Sequence, residues 1–195
     1  MRRSRLAAVL AVCLASLAPL AARAGTPFHG AVRVGALVPT ELERFDTGFA
    51  VELAGGWWAT PSLSLEVAAG RKTVQGPGGF LDPQGDPVTT RLTLYPLTLT
   101  ARWSLWLGDW RPYLLAGAGA EITRIRPAIT DAAGGPLATP RTKAALLLQG
   151  GAGVVYQVDE HFAFGLEGRY ARARLDGGDL ATDGVTAAAT MEYRY

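Results

Sequence analysis

The chain has 195 residues, of which 24 are glycine, 18% are charged and one is cysteine. That length suits one domain, and so much glycine with so little charge favours β-structure over helix. The formal charge of +2 is carried by four early arginines, Arg2, Arg3, Arg5 and Arg23, so the chain beyond them is near neutral and has no nucleic-acid footprint.

Residues 1–24 read as a signal peptide. Arg2, Arg3 and Arg5 form a positive start, Leu6 to Leu20 an apolar stretch, and Ala22-Arg23-Ala24 a small-x-small cleavage site. An anchoring helix would need a longer span. A lipoprotein reading fails at Cys13, which follows Val12 inside the apolar stretch. Loss of Cys13 with the signal leaves residues 25–195 without a disulfide or a thiolate. Beyond the signal no apolar run reaches the roughly 18 residues of a spanning helix, so a membrane form must be a barrel.

Eight extended segments follow in order. Gly30 to Val38 is too mixed to fix its facing. In Thr47 to Trp58, the residues Phe49, Val51, Leu53 and Trp57 oppose Glu52. In Leu63 to Thr73, Leu63, Leu65 and Val67 oppose Ser64 and Glu66. Val74 to Val88, rich in glycine and proline, reads as a connector that leaves the ladder. Thr89 to Trp106 changes phase near Pro96, which predicts a bulge there. Pro112 to Ile125 sets Leu114, Ala116, Ala118, Ala120 and Ile122 against Tyr113 and Glu121. Lys143 to Val158 has no clear facing. Phe162 to Leu175 sets Phe162, Phe164, Leu166 and Tyr170 against Glu167 and Arg169.

The final segment, Gly184 to Tyr195, alternates most cleanly. Val185, Ala187, Ala189, Met191, Tyr193 and Tyr195 share one face, with Thr186, Thr190, Glu192 and Arg194 on the other. Three connectors are short, Ala59 to Ser62, Leu107 to Arg111 and Asp159 to His161, and those around Glu41, Gly79, Gly134 and Asp179 are long. The strict alternation predicts an all-β fold, an eight-stranded antiparallel up-and-down transmembrane β-barrel with short turns in the periplasm and four long loops outside. Trp57, Trp58, Trp103, Trp106, Trp110, Tyr193 and Tyr195 fall near the short-turn end with Tyr113, Phe162 and Phe164, and read as an interfacial aromatic belt. A soluble sandwich shares the alternation but has no reason to gather all five tryptophans at one end.

Three stretches, Leu92 to Trp103 with its mid-strand proline, Arg111-Pro112-Tyr113-Leu114-Leu115-Ala116-Gly117-Ala118-Gly119, and Glu167-Gly168-Arg169-Tyr170, resemble the small eight-stranded outer-membrane barrels of the OmpX/Ail, OmpW and OmpA-barrel types. Tyr193-Arg194-Tyr195 resembles the terminal aromatic signal that the barrel-assembly machinery reads. The resemblance implies outer-membrane lipid and that machinery as partners, and no cofactor.

The candidate interior charges are Glu52, Glu66, Arg102, Glu121, Glu167, Arg169, Glu192 and Arg194. Eight strands enclose a space that side chains fill, and charges there must pair. They read as a structural plug, or alternatively as a narrow ion path that opens by re-pairing. Catalysis needs a nucleophile beside a base. Beyond the signal only His29, His161, Ser62, Ser64 and Ser104 are available, all near the short-turn end and without a His-x-Ser motif, so no catalytic residue is assigned. Asp176, Asp179 and Asp183 among Gly177, Gly178 and Gly184 offer oxygen ligands for calcium, but the spacing is not that of an EF-hand and suits a turn, so no metal is assigned. Gly117-x-Gly119 and Gly150-Gly151-x-Gly153 lack the crossover unit of a dinucleotide site. The reading is a monomeric barrel with a structural or surface-interaction role through its external loops and an unidentified extracellular partner. A narrow channel for small hydrophobic solutes or ions is the alternative, and a lipid-modifying enzyme a more distant one.

Overall fold

The computed structural model describes residues 28–40, 45–81, 87–127, 141–175 and 182–195. The expected signal segment lies outside these residues, as do 41–44, 82–86, 128–140 and 176–181 in the long connectors. Eight strands account for nearly all of what is described: β1 (Phe28–Pro39), β2 (Gly48–Thr60), β3 (Leu63–Leu81), β4 (Pro87–Ser104), β5 (Trp110–Pro127), β6 (Arg141–Gln157), β7 (Phe162–Leu175) and β8 (Gly184–Arg194). Each pairs antiparallel with its neighbours in sequence, and β1 closes the barrel against β8 from His29↔Arg194 to Pro39↔Gly184. Closure leaves no open edge in the part of the wall that all eight strands share.

Side chains alternate across the wall, as the two-residue period of a strand requires. Leu53, Leu114, Leu146 and Leu166 point outward and are each 56–66% exposed, while Arg102, Glu66 and Glu192 point inward at 1% or less. In water each exposed leucine would forgo about 1.5–3 kcal/mol of burial. An exterior covered this way is built for lipid.

β1 and β6, whose facing the sequence left open, follow the same rule. His29, Ala31, Arg33 and Leu37 face in on β1, and Ala145, Leu147, Gln149 and Val155 on β6.

Three sequence expectations are corrected. No bulge occurs at Pro96: β4 pairs with β5 in one register from Thr90↔Pro127 to Ser104↔Tyr113. Against β3 the ladder lapses between Ala69↔Leu97 and Lys72↔Leu94 and resumes in register, as expected where proline lacks the N–H. Leu92 and Leu94 therefore face inward with Arg102, joining Leu37 and Val74 in an apolar cluster at the long-connector end. The apparent phase change reflects a lumen that is apolar at that end and charged below it.

The second correction concerns Val74 to Val88. β3 continues to Leu81 and β4 starts at Pro87, with Pro77 paired to Thr89 and a register irregularity before Leu81↔Pro87. Among the described residues no third strand flanks this extension, since β2 leaves β3 at Phe49↔Thr73 and β5 leaves β4 at Thr90↔Pro127; only the Asp46 amide still reaches it, donating to the Gln75 carbonyl at 2.8 Å. A free edge tolerates proline. The third correction is Arg111, which belongs to β5 and not to the preceding turn. Gly108 and Asp109 alone make that turn, with Leu107 and Trp110 bridged across it and Gly108 at φ 65°, the left-handed value of a type II′ hairpin's first central residue.

Candidate functional site

The lumen holds one connected set of charges. Arg33 on β1 donates to Glu52 of β2 at 2.9 Å and to Glu66 of β3, and its Nε lies 3.3 Å from Glu167 of β7. Arg169 on β7 reaches Glu52 at 3.0 Å and also contacts Glu167. Arg102 on β4 bridges Glu66 at 3.3 Å and Glu192 of β8, and Arg111 on β5 donates to the other oxygen of Glu192 at 2.7 Å. Four arginines thus meet four glutamates across the full width of the barrel. Their charges cancel.

Uncharged groups fasten the network to the wall. Tyr113 donates its hydroxyl to Glu167 at 2.8 Å while Arg102 lies 3.7 Å over its ring. Tyr113 stands above Gly153, its register partner, where any Cβ would collide with the ring. His29 Nε2 is 3.1 Å from Glu66 Oε1, and Gln149 donates to Thr100 at 2.8 Å. These contacts take up acceptor positions that would otherwise be buried without partners.

The aromatic expectation needs correction at two positions. Trp58 is 5% exposed and Tyr113 is 3%, and both face the lumen. Trp57 and Trp58 are consecutive on one strand, so only one can face lipid. Inside, Trp58 lies 6.3 Å from Trp106, and Arg111 and Arg194 each sit 4.9–5.4 Å from both rings. Trp103, Trp106, Trp110 and Tyr195 are exposed. Tyr193 packs edge-on against Tyr195 and Phe162.

Not every expected charge joins the network. Glu121 lies nearer the long-connector end and accepts from Thr182 Oγ1 at 2.6 Å. Arg194 makes its ring contacts at the short-turn mouth, where no carboxylate among the described residues lies within ion-pair distance. The sequence reading missed His29 and Arg33 because β1 gave no facing, Arg111 because it was placed in a turn, and Lys72. Lys72 stands between two cavities. The one toward the long connectors is walled by Leu37, Val74, Leu92 and Leu94 with Glu121; the other is walled by Arg33, Glu52, Pro96, Glu167 and Arg169.

As for other chemistry, no serine hydroxyl among the described residues hydrogen-bonds a histidine. His161 Nδ1 contacts the Arg194 carbonyl at 2.9 Å. Asp176 and Asp179 lie outside the described residues, and Asp183 accepts from Tyr170 at 3.0 Å and pairs with Arg172 at 3.3 Å.

A closed eight-stranded wall with a lipid-facing exterior and a charged interior defines a transmembrane β-barrel of the bacterial outer-membrane class. Solved structures with this fold include Neisserial surface protein A, at 15% identity and TM-score 0.53 over 88% of this chain and 96% of that one. Ail of Yersinia pestis, in complex with the heparin analogue sucrose octasulfate, matches at 13% identity and TM-score 0.51 over 87% and 99%. The outer membrane protein OprG from Pseudomonas aeruginosa matches at 14% identity and TM-score 0.50 over 87% and 95%. At these identities the likeness is one of fold. No family model and no curated protein sequence matches the chain.

Proposed function

We propose that the protein is a sealed, monomeric outer-membrane barrel that acts structurally and through the long connectors at its outer end, its carboxy-terminal strand serving as the signal for barrel assembly. The supporting observation is the Arg33–Glu66–Arg102–Glu192–Arg111 chain of ion pairs, which crosses the lumen. A charge drawn out of this chain would leave its partner buried and unpaired, which opposes opening of the plug. With the interior closed, the connectors are the surface left for recognition. In Ail, a barrel of this fold was solved with a heparin analogue bound, which supports an extracellular partner for a protein of this shape.

The test is a gel-mobility comparison of folded and boiled protein refolded in detergent, beside planar-bilayer conductance of the same sample. A heat-sensitive mobility shift without discrete conductance supports the sealed reading. Discrete conductance from the unmodified protein would replace it with the narrow-channel reading. That alternative draws on the two cavities either side of Lys72, the outer of them walled by Leu37, Val74, Leu92 and Leu94.

A further inference from the structure

The outer wall distributes charge unevenly. Every aspartate or glutamate within the described strands (Glu52, Glu66, Glu121, Glu167, Glu192) faces the lumen. Among the residues whose side chains are described, the outward basic ones are Arg71, Arg91, Arg124, Arg172 and Arg174; Arg71 stands near the middle of β3 and the other four on the long-connector side of their strands, while the short-turn end shows aromatic rings instead. Arg172 has Asp183 as a partner. On β3 to β5, Arg71, Arg91 and Arg124 have no carboxylate within ion-pair distance among the described residues.

Two of these arginines are set close together. Thr93 of β4 is the register partner of Arg124, and Arg91 stands two residues along the same strand, so the two lie diagonally across one ladder. The Gln75 amide, turned with its oxygen towards Arg91, accepts from Nε at 3.2 Å and Nη2 at 2.9 Å, and so orients the guanidinium. Neighbouring like charges at the edge of a low-dielectric phase repel unless an anion sits between them. Below them on the same wall are Tyr95, Leu99, Ile122 and Leu146, exposed by 37–66%. An anion that meets guanidinium groups above and bare leucine below is the head of an amphiphile.

We propose that the outward face of β3 to β5 is a binding site for a phosphorylated lipid of the outer leaflet, with Arg91 and Arg124 holding the phosphate and the apolar wall beneath them taking the acyl chains. Arginine suits this role because its planar fork meets phosphate oxygens in pairs. The short-turn end, with aromatic rings and, among the described residues, no outward arginine, gives the site to one leaflet only. The inference rests on the bilayer placement of the barrel and not on whether its lumen is sealed.

The test uses the full chain refolded in detergent, with folding checked by heat-modifiability. The protein is offered lipid A carrying its phosphates or the same lipid after phosphatase treatment, and retained lipid is counted by native mass spectrometry. Retention of the phosphorylated form alone is expected, weakened about fivefold by Arg91→Gln or Arg124→Gln and about 30-fold by both. Inorganic phosphate at millimolar concentration should leave it in place. Equal retention of the two lipids by the unmodified protein overturns the proposal, whether or not the double variant folds. A folded double variant that retains as much phosphorylated lipid as the unmodified protein also overturns it. Displacement by free phosphate overturns the assignment to a lipid.

Discussion

Arg102 has no exposure to solvent and meets two carboxylates, Glu66 and Glu192, with the ring of Tyr113 beneath it. A guanidinium this deep is stable only while its partners stay ionised. Glu192→Ala takes a partner from both Arg102 and Arg111, and should lower stability by about 3–5 kcal/mol, read as a shift of the urea midpoint for the barrel in lipid vesicles. Arg91→Gln on the exterior should move the same midpoint by less than about 0.5 kcal/mol. If both variants shift it equally, the interior pairs are not a special source of stability. Tyr113 offers a second check. Gly153→Val would push its ring off the strand and its hydroxyl away from Glu167, costing about 1–3 kcal/mol by overpacking. Combining it with Tyr113→Ala should recover part of that loss; no recovery would mean that the glycine is needed for another reason.

Whole strands were legible where one face was uniformly apolar and the other uniformly polar, as on β8 with Val185 to Tyr195 opposite Thr186 to Arg194. Parity fails as a guide where the lumen itself changes character. Leu92 and Leu94 look like lipid-facing residues in sequence, yet they close the outer end of the interior with Leu37 and Val74. β1 was harder still, because its small residues dilute the contrast around Arg33. Turn chemistry was the more local signal, and the β6–β7 turn shows how it acts. Asp159 Oδ1 accepts from the amides of Phe162 at 2.7 Å and His161 at 2.8 Å. These two hydrogen bonds, Phe162 first, hold the exposed carboxyl below the usual aspartate value. Because the folded value is the lower one, the contribution to stability is complete above the ordinary aspartate value and is lost as pH falls through the lowered one. Protection of the His161 and Phe162 amides, corrected for intrinsic exchange, should therefore fall in acid for the native chain. In Asp159→Asn, which keeps an oxygen acceptor that does not titrate, it should stay flat; parallel behaviour would show that the ionised carboxylate is not what holds the turn.

At the scale of the whole molecule, antiparallel closure brings residues far apart in sequence into one electrostatic unit. Arg33 and Glu167 meet only because β1 joins β8, which lies beside β7, and no local pattern announces that pairing. Glu52, Glu66, Arg102, Glu167, Arg169 and Glu192 were readable as residues that face inward, Arg33 and Arg111 were not, and the partners of all of them depended on register. The balance of four arginines against four glutamates also predicts what happens when one sign is removed. Arg33→Ala with Arg102→Ala empties volume and leaves Glu52, Glu66, Glu167 and Glu192 in excess, so a variant that folds should conduct and prefer cations. Glu66→Ala with Glu192→Ala empties volume at the same level but leaves arginine in excess, and should prefer anions. Reversal potentials across a salt gradient distinguish the two by sign. If both variants fold and conduct with the same selectivity, the path runs elsewhere; if both fold and stay silent, side chains other than these pairs close the barrel.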